Sequence, residues 1–239
     1  MLVGIIGALD HEINGLKALM ENSETDIVSS VEFYRGAING ADIVLAAAGV
    51  GKVNAAVCAQ TMILKYSPDI IINIGAAGGL SLELGIGDIA IAEAVVEHDM
   101  DTTAVGDPPG LISGIDVVEM PCSKKLTDML EETVRTVGTV KAQRGVIASG
   151  DQFICADKQR NKIIDNFGAI AAEMEGGSIG HVCMMNGVPF GVLRAISDGA
   201  NDDAVMDYPT FAQMAADNSI KIMVELLKKM KGVSFDGEN

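Results

Sequence analysis

Apolar positions in this chain fall in short runs that alternate with amphipathic stretches. Residues 2–9 form one continuous apolar run with β-branched Val3, Ile5 and Ile6, which predicts a buried strand. Asp10 stands where a helix cap belongs, and Ile13, Leu16, Leu19 and Met20 then share one helical face. Residues 31–37 and 42–48 predict two strands joined at Asn39-Gly40, a dipeptide suited to a tight hairpin turn. A helix over 53–66 leads to a strand over 70–75, and Gly75-Ala76-Ala77-Gly78-Gly79 reads as a Gly-rich turn after it. Further strands are expected from Asp88 to Val96 and over 141–149, with a helix capped by Ser123 between them. Asp157 opens a short helix to Phe167. The final helix has Pro209 in its expected first turn and carries apolar residues to Met230.

This strand–helix rhythm predicts an α/β fold: one domain over residues 1–231, a mixed and largely parallel sheet flanked by helices, with a frayed tail at 232–239. No linker, repeat or low-complexity segment divides it.

The stretch from Ala171 to Asp198 organises the chemistry. Glu173-Met174-Glu175 ends a small apolar run, a helix-like segment follows over 176–186, and a second apolar run ends in Ser197-Asp198. A strand–helix–strand unit would bring Glu175 and Asp198 to one sheet edge, where α/β proteins bind ligands. Paired carboxylates there suit acid–base chemistry on a small polar molecule. The plainer alternative is two surface acids that happen to end strands. Glu12 falls in a first helical turn, where the helix dipole favours negative charge. Phe153, just past a strand end, could stack on a planar ring or simply pack in the core.

Several motifs are excluded. Gly49-Val50-Gly51-Lys52 lacks the Gly and Ser/Thr positions of a phosphate loop, because Ala46 and Val53 stand there. Gly75–Gly79 lacks dinucleotide-fold spacing, so no cofactor is expected. His98, Asp99 and Asp101 look like metal ligands, but without a second cluster no metal is expected. The loop over 102–114, with Pro108-Pro109-Gly110, reads as irregular chain that could act as a lid or reach a partner subunit.

The formal charge of −16 over 239 residues argues against nucleic acid and anionic membranes. Cys58, Cys122, Cys155 and Cys183 form no C-x-x-C pair, and no signal peptide precedes the first strand. They read as reduced thiols of a cytoplasmic protein. A 49% hydrophobic composition with only 4% aromatics implies apolar surface buried between subunits, most simply in a two-fold dimer.

Taken in order, the motifs resemble the purine nucleoside phosphorylase and uridine phosphorylase superfamily. They are Gly4-Ile5-Ile6-Gly7-Ala8 with Glu12, Gly49–Lys52, Gly75–Leu80, His98-Asp99 with Asp101, Ser149–Ile154, Glu173–Gly176 and Arg194–Asp198. The resemblance spans essentially the whole chain and is closest to the hydrolytic branch, the bacterial 5′-methylthioadenosine/S-adenosylhomocysteine nucleosidases. It implies a nucleoside phosphorylase-like fold and cleavage of an adenine N-glycosidic bond without a cofactor or metal. Asp198 would protonate purine N7, Glu175 would bind the ribose hydroxyls, and Glu12 would activate water. Arg194 would help hold that water and balance the acids. Phe153 would stack on adenine, the backbone of Ile154 would read its edge, Met174 would pack under the ribose, and Tyr208 would close over the ligand. The same motifs add Leu9, Val50, Ala76 and Ala77 to the binding wall, with Gly78, Glu173 and Ser197. Thr102 and Val105 of a neighbouring subunit would border the 5′ substituent, so that loop 102–110 completes the partner's site.

Two positions depart from the family's habit. Ala76 stands where a Ser hydroxyl is frequent, a loss of about 0.5–1.5 kcal/mol for one hydrogen bond. Thr102 and Val105 replace bulkier or more apolar residues. Both bear on the 5′-group preference. Three alternatives to hydrolysis of these substrates stay open: a phosphorylase, a non-catalytic nucleoside-binding module, and a hydrolase of futalosine-type nucleosides. A phosphate nucleophile needs a cationic pocket, and Asn73 stands where phosphate-using relatives tend to carry Arg, which favours water.

Overall fold

The apolar runs become strands whose two faces are both covered, which is why they read as continuous rather than alternating. The computed structural model describes residues 1–201, 203–235 and 237. In chain order its elements begin β1 (Leu2–Gly7), α1 (Asp10–Lys17), β2 (Glu21–Val28), β3 (Val31–Ile38), β4 (Ala41–Ala47), α2 (Lys52–Tyr66), β5 (Ile70–Gly79) and β6 (Ile89–Glu97). They continue β7 (Met120–Pro121), α3 (Lys124–Val137), β8 (Ala142–Ser149), α4 (Asp157–Phe167), β9 (Ala171–Glu173), α5 (Gly176–Asn186), β10 (Phe190–Asp198) and α6 (Ala204–Lys229).

From its outer edge the sheet runs β2-β3-β4-β1-β5 and then curls into a ring. Strand β5 pairs with β10, β10 with β6, β6 with β8, β8 with β9, and β9 returns to β5. The segment β4-β1-β5-β10 is parallel throughout, so its carboxyl ends share one edge. On one face α1, α3 and α6 cover Val3, Ile5, Leu45, Ile72 and Leu193. On the other, α2 and α5 cover Ile6, Val44, Ile71 and Val192. Asn39 and Gly40 take φ of 52° and 78°, the positive pair that a two-residue hairpin turn requires.

Several local expectations are corrected. Gly75–Gly79 is not a turn: β5 continues through it, and Gly78 and Gly79 pair with Ala172 and Ala171. Strands β9 and β10 do not form a simple parallel unit, because β5 lies between them and runs antiparallel to β9. Glu175 and Asp198 meet through the curl of β5 instead. Strand β2 was not expected, since its residues are exposed on both faces and carry no alternation. Leu9, not Asp10, caps α1, and the helix ends at Lys17, which leaves Leu19 half exposed. Pro209 sits beyond the first turn of α6, because the helix already starts at Ala204. The bond it cannot donate belongs to the carbonyl of Val205, which is largely exposed and can use water.

The expected frayed tail is packed at least to Phe235, which is 3% exposed against the α3–α6 face. Asp236, Glu238 and Asn239 lie outside the described residues, as does Asp202. No helix among the described residues is long and apolar enough to cross a membrane.

Candidate active site

Four buried carboxylates, Glu12, Glu173, Glu175 and Asp198, border a single cavity of about 460 Å³ at the carboxyl edge of the parallel strands. That size is ordinary for a small-molecule site. A roomier hollow of about 620 Å³ lies at the sheet edge between Leu2, Arg35 and Tyr66, but no buried carboxylate lines it.

Local backbone sets each acid. Glu12 projects from the first turn of α1 and bends back over the end of β1. Its Oε2 accepts from the N–H groups of Ala8 (2.7 Å) and Leu9 (2.9 Å). Its Oε1 accepts from Ala76 N–H (3.0 Å), on the part of β5 that passes beside it. Three N–H donors therefore fix this carboxylate as an acceptor facing the cavity.

Glu175 caps α5, and its Oε1 accepts from Gly51 N–H at 2.9 Å. Burial pushes its pKa up to about 7; Arg194 opposes that rise, while Glu173 and Glu12 add to it. Asp198 ends β10. Its Oδ1 accepts from Ala200 N–H (2.9 Å) and its Oδ2 from the Ser197 hydroxyl (2.9 Å). Burial raises its pKa above the ordinary carboxylate range against both hydrogen bonds. A carboxyl raised in this way can hold a proton and deliver it.

Arg194, expected to help hold the water and balance the acids, does not line the cavity itself. It is 1% exposed and lies beneath the acids. Its guanidinium donates to Glu173, Asn73 and the Ile74 carbonyl, and lies 3.5 Å from Glu175 Oε2. Glu173 also borders the cavity, but its oxygens are committed inward. They accept from Arg194, the Ser149 hydroxyl, and the N–H groups of Glu175 (3.0 Å) and Gly176 (2.8 Å). The pair thus sets the local charge and the start of α5 rather than binding a ligand. Gly75 makes the arrangement fit. A Cβ there would stand 2.1 Å from Arg194 Nη1 and 2.7 Å from Glu12 Oε1.

Leu9, Val50, Ala76, Ala77, Gly78, Met174 and Ser197 line the cavity with the acids. Phe153 and Tyr208 form its lip, with ring centroids 5.8 Å apart and an edge-to-face angle of 73°. Burial first, then Glu12, Glu175 and Asp198, raises the Tyr208 pKa, so its hydroxyl stays a donor. Ile154 is buried away from the cavity in the core under α4, leaving only its backbone available. Thr102 and Val105 do not reach the cavity of their own chain, and Val105 is 80% exposed.

Sequence reasoning missed Ala8 and Ala172 in the wall, and Ser149 beneath it. Asn73 was noted only for the nucleophile. As the one polar residue inside a buried run it needed partners, and those partners proved to be Arg194 and the Ile6 carbonyl (2.8 Å). Of the three residues that resembled metal ligands, the two aspartates are otherwise engaged, while His98 Nε2 is buried without a hydrogen-bond partner. Asp99 accepts from Lys52 Nζ (2.7 Å) and Asp151 N–H (2.9 Å), and Asp101 from Thr103.

Fold and site together define a class: an α/β protein whose curled sheet gathers carboxylates around a cavity sized for a nucleoside. A family model described as the phosphorylase superfamily matches residues 2–228, and this chain belongs to that superfamily.

A 5′-methylthioadenosine/S-adenosylhomocysteine nucleosidase of Shewanella halifaxensis (strain HAW-EB4) is 39% identical over 231 residues, covering 96% of this chain and 100% of that one. The crystal structure of the nucleosidase of that name from Neisseria meningitidis, in complex with methylthio-immucillin-A, superposes with a TM-score of 0.92 at 34% identity, over 95% of this chain and 99% of that one. The futalosine hydrolase of Helicobacter pylori strain 26695 superposes with a TM-score of 0.91 at 31% identity, over 96% and 98%.

Proposed function

We propose that this chain hydrolyses the N-glycosidic bond of 5′-substituted adenosines, such as 5′-methylthioadenosine, S-adenosylhomocysteine and 5′-deoxyadenosine, releasing adenine and the 5-substituted ribose. The observation that carries the choice of water over phosphate is the cavity wall. Among the described residues it holds four carboxylates and no Lys, Arg or His. A phosphate dianion entering it would meet like charge in a poorly solvated space. The nearest guanidinium, Arg194, is already paired beneath the floor.

The step runs as follows. As the C1′–N9 bond lengthens, its electron pair moves to the purine and positive charge develops on the sugar ring. Asp198 gives its proton to N7, which makes adenine a neutral leaving group. Glu175 holds the 2′- and 3′-hydroxyls and, ionised, stabilises the ring cation. Glu12 takes a proton from water as its oxygen bonds to C1′. Phe153 and Tyr208 at the lip cover the adenine, and Met174 packs under the ribose. Ala76 offers no hydroxyl to the sugar.

The 5′ substituent leaves the cavity toward Val50, whose exposed side chain continues into the apolar stripe Val53, Val57 and Leu64 on α2. A second copy seated on that stripe would bring Thr102, Val105 and loop 102–110 to the opening. The likeness to a futalosine hydrolase supports a second reading, a futalosine-type nucleoside cleaved by the same three acids.

The test is base release from methylthioadenosine, adenosylhomocysteine, 5′-deoxyadenosine, adenosine, inosine and futalosine, with and without phosphate. The reading expects phosphate-independent release from 5′-substituted adenosines. Strict dependence on phosphate overturns it in favour of phosphorolysis, and binding without turnover in favour of a non-catalytic module.

A further inference from the structure

Lys52 does not line the cavity, yet its contacts reach three of the walls. It opens α2 directly after Gly51, whose N–H holds Glu175 at 2.9 Å. Its own N–H donates to Asp151 Oδ1 at 2.7 Å, in the loop that carries Phe153. Its ammonium is half-buried between Glu97 Oε2 (3.0 Å) and Asp99 Oδ1 (2.7 Å) at the end of β6. Asp99 in turn accepts from Asp151 N–H at 2.9 Å, and Glu97 meets His181 Nδ1 at 3.2 Å on α5, the helix that Glu175 caps.

The chain therefore closes a circuit around one cation: α2, the end of β6, the loop after β8, and α5. Burial alone would lower the lysine's pKa, but the hydrogen bonds and charges of Asp99 and Glu97 more than offset it, so the ammonium stays charged. Each acid it pairs with is held by a second partner, which makes the tether rigid rather than a loose surface pair.

We infer that Lys52 is a positioning residue for the carboxylate of Glu175, acting through the Gly51 N–H and through Glu97 and His181 on α5. The inference rests on reading the cavity as a nucleoside site in which Glu175 binds the ribose hydroxyls. Without the tether the Gly51 turn can drift from Glu175. Such a drift costs interactions that require a fixed geometry, and spares those that do not.

The experiment compares kcat/KM for methylthioadenosine and its 2′-deoxy counterpart in wild type, Lys52→Met and Lys52→Arg. Lys52→Met is expected to lower kcat/KM for methylthioadenosine by about tenfold to a hundredfold, and the value for the 2′-deoxy substrate much less. Preference for the 2′-hydroxyl therefore shrinks, and Lys52→Arg restores part of it. A loss of equal size on both substrates, or no loss, overturns the inference, because a merely structural lysine would not act through one hydroxyl. Asp151→Ala cuts the same circuit at an exposed residue. If Lys52→Met fails to fold, a reduced 2′-hydroxyl preference in Asp151→Ala supports the inference and an unchanged preference overturns it. Wild-type protein inactive on both substrates would instead reject the nucleoside reading itself.

Discussion

Replacing Glu173 with Gln removes one charge where water cannot compensate. The carboxylate accepts from Arg194, the Ser149 hydroxyl and two N–H groups at the start of α5. An amide keeps the shape, and its NH2 can take the place of Oε1, where it meets the Ser149 hydroxyl, an acceptor as well as a donor. Arg194, 1% exposed, is then left with Glu175 Oε2 at 3.5 Å as its anion. Breaking a buried pair costs about 3–5 kcal/mol. That figure is taken as the net loss, because the amide keeps an acceptor toward Arg194 and α5. At roughly 2–4 °C per kcal/mol for a chain of this size, the melting temperature should fall by about 6–20 °C. Urea unfolding followed by far-UV circular dichroism measures the loss directly. A second signature follows from the electrostatics. Glu173 helps push Glu175 up to about 7, so its neutralisation must move the Glu175 titration downward. A stability loss below about 1 kcal/mol, with the titration unmoved, would refute the idea that this pair holds the site together.

Asp198→Asn should lower kcat by about 10²–10⁴-fold while adenine still binds, as read by steady-state kinetics and calorimetry. Glu12→Gln should do the same to kcat and leave the fold intact, since the amide oxygen can still accept from Ala8, Leu9 or Ala76; full activity would contradict its role as base. Glu175 is pushed up to about 7 from an ordinary 4.5. The folded state holds the proton more tightly, so the stability this group contributes is present below 4.5 and is lost as pH rises through 7. Binding of a ring-cation nucleoside analogue runs the other way, strengthening as pH rises across 7 and the carboxylate ionises; titration calorimetry between pH 6 and 8 checks it. Gly75→Ala places a Cβ 2.1 Å from Arg194 Nη1 and should destabilise by about 1–3 kcal/mol with loss of turnover; unchanged melting would contradict the packing.

Much of the site was legible in the sequence because its acids lie at ends of elements, where a change from apolar run to charge is conspicuous. Glu12, Glu175 and Asp198 all stood out in this way, and all three border the one cavity. What periodicity does not carry is how strands pair. The run through Gly75–Gly79 has the composition of a turn, yet the same small residues let β5 stay extended while β10 and β9 crowd against it. Closure of the ring depends on those non-local pairings. Strand β2 was invisible for the opposite reason, since an edge with no buried face need not alternate. Arg194 was expected, from the resemblance alone, to help hold water and to balance the acids, and it is the second part that the packing carries. The sequence held several anions, and only packing shows that Glu173 takes the guanidinium. Lys52 entered only as the last residue of a motif that fails as a phosphate loop and counts toward the resemblance, and its circuit joins residues up to 129 positions away, which no local pattern connects.

The central claim is that water attacks a sugar held among three carboxylates, and isotope transfer tests it most directly. Methylthioadenosine is incubated with the protein in phosphate-buffered H₂¹⁸O, and the sugar product is analysed by mass spectrometry. The account predicts one labelled oxygen at C1 of the free 5-substituted ribose for every adenine released. A ribose 1-phosphate, with no label at C1, would contradict it.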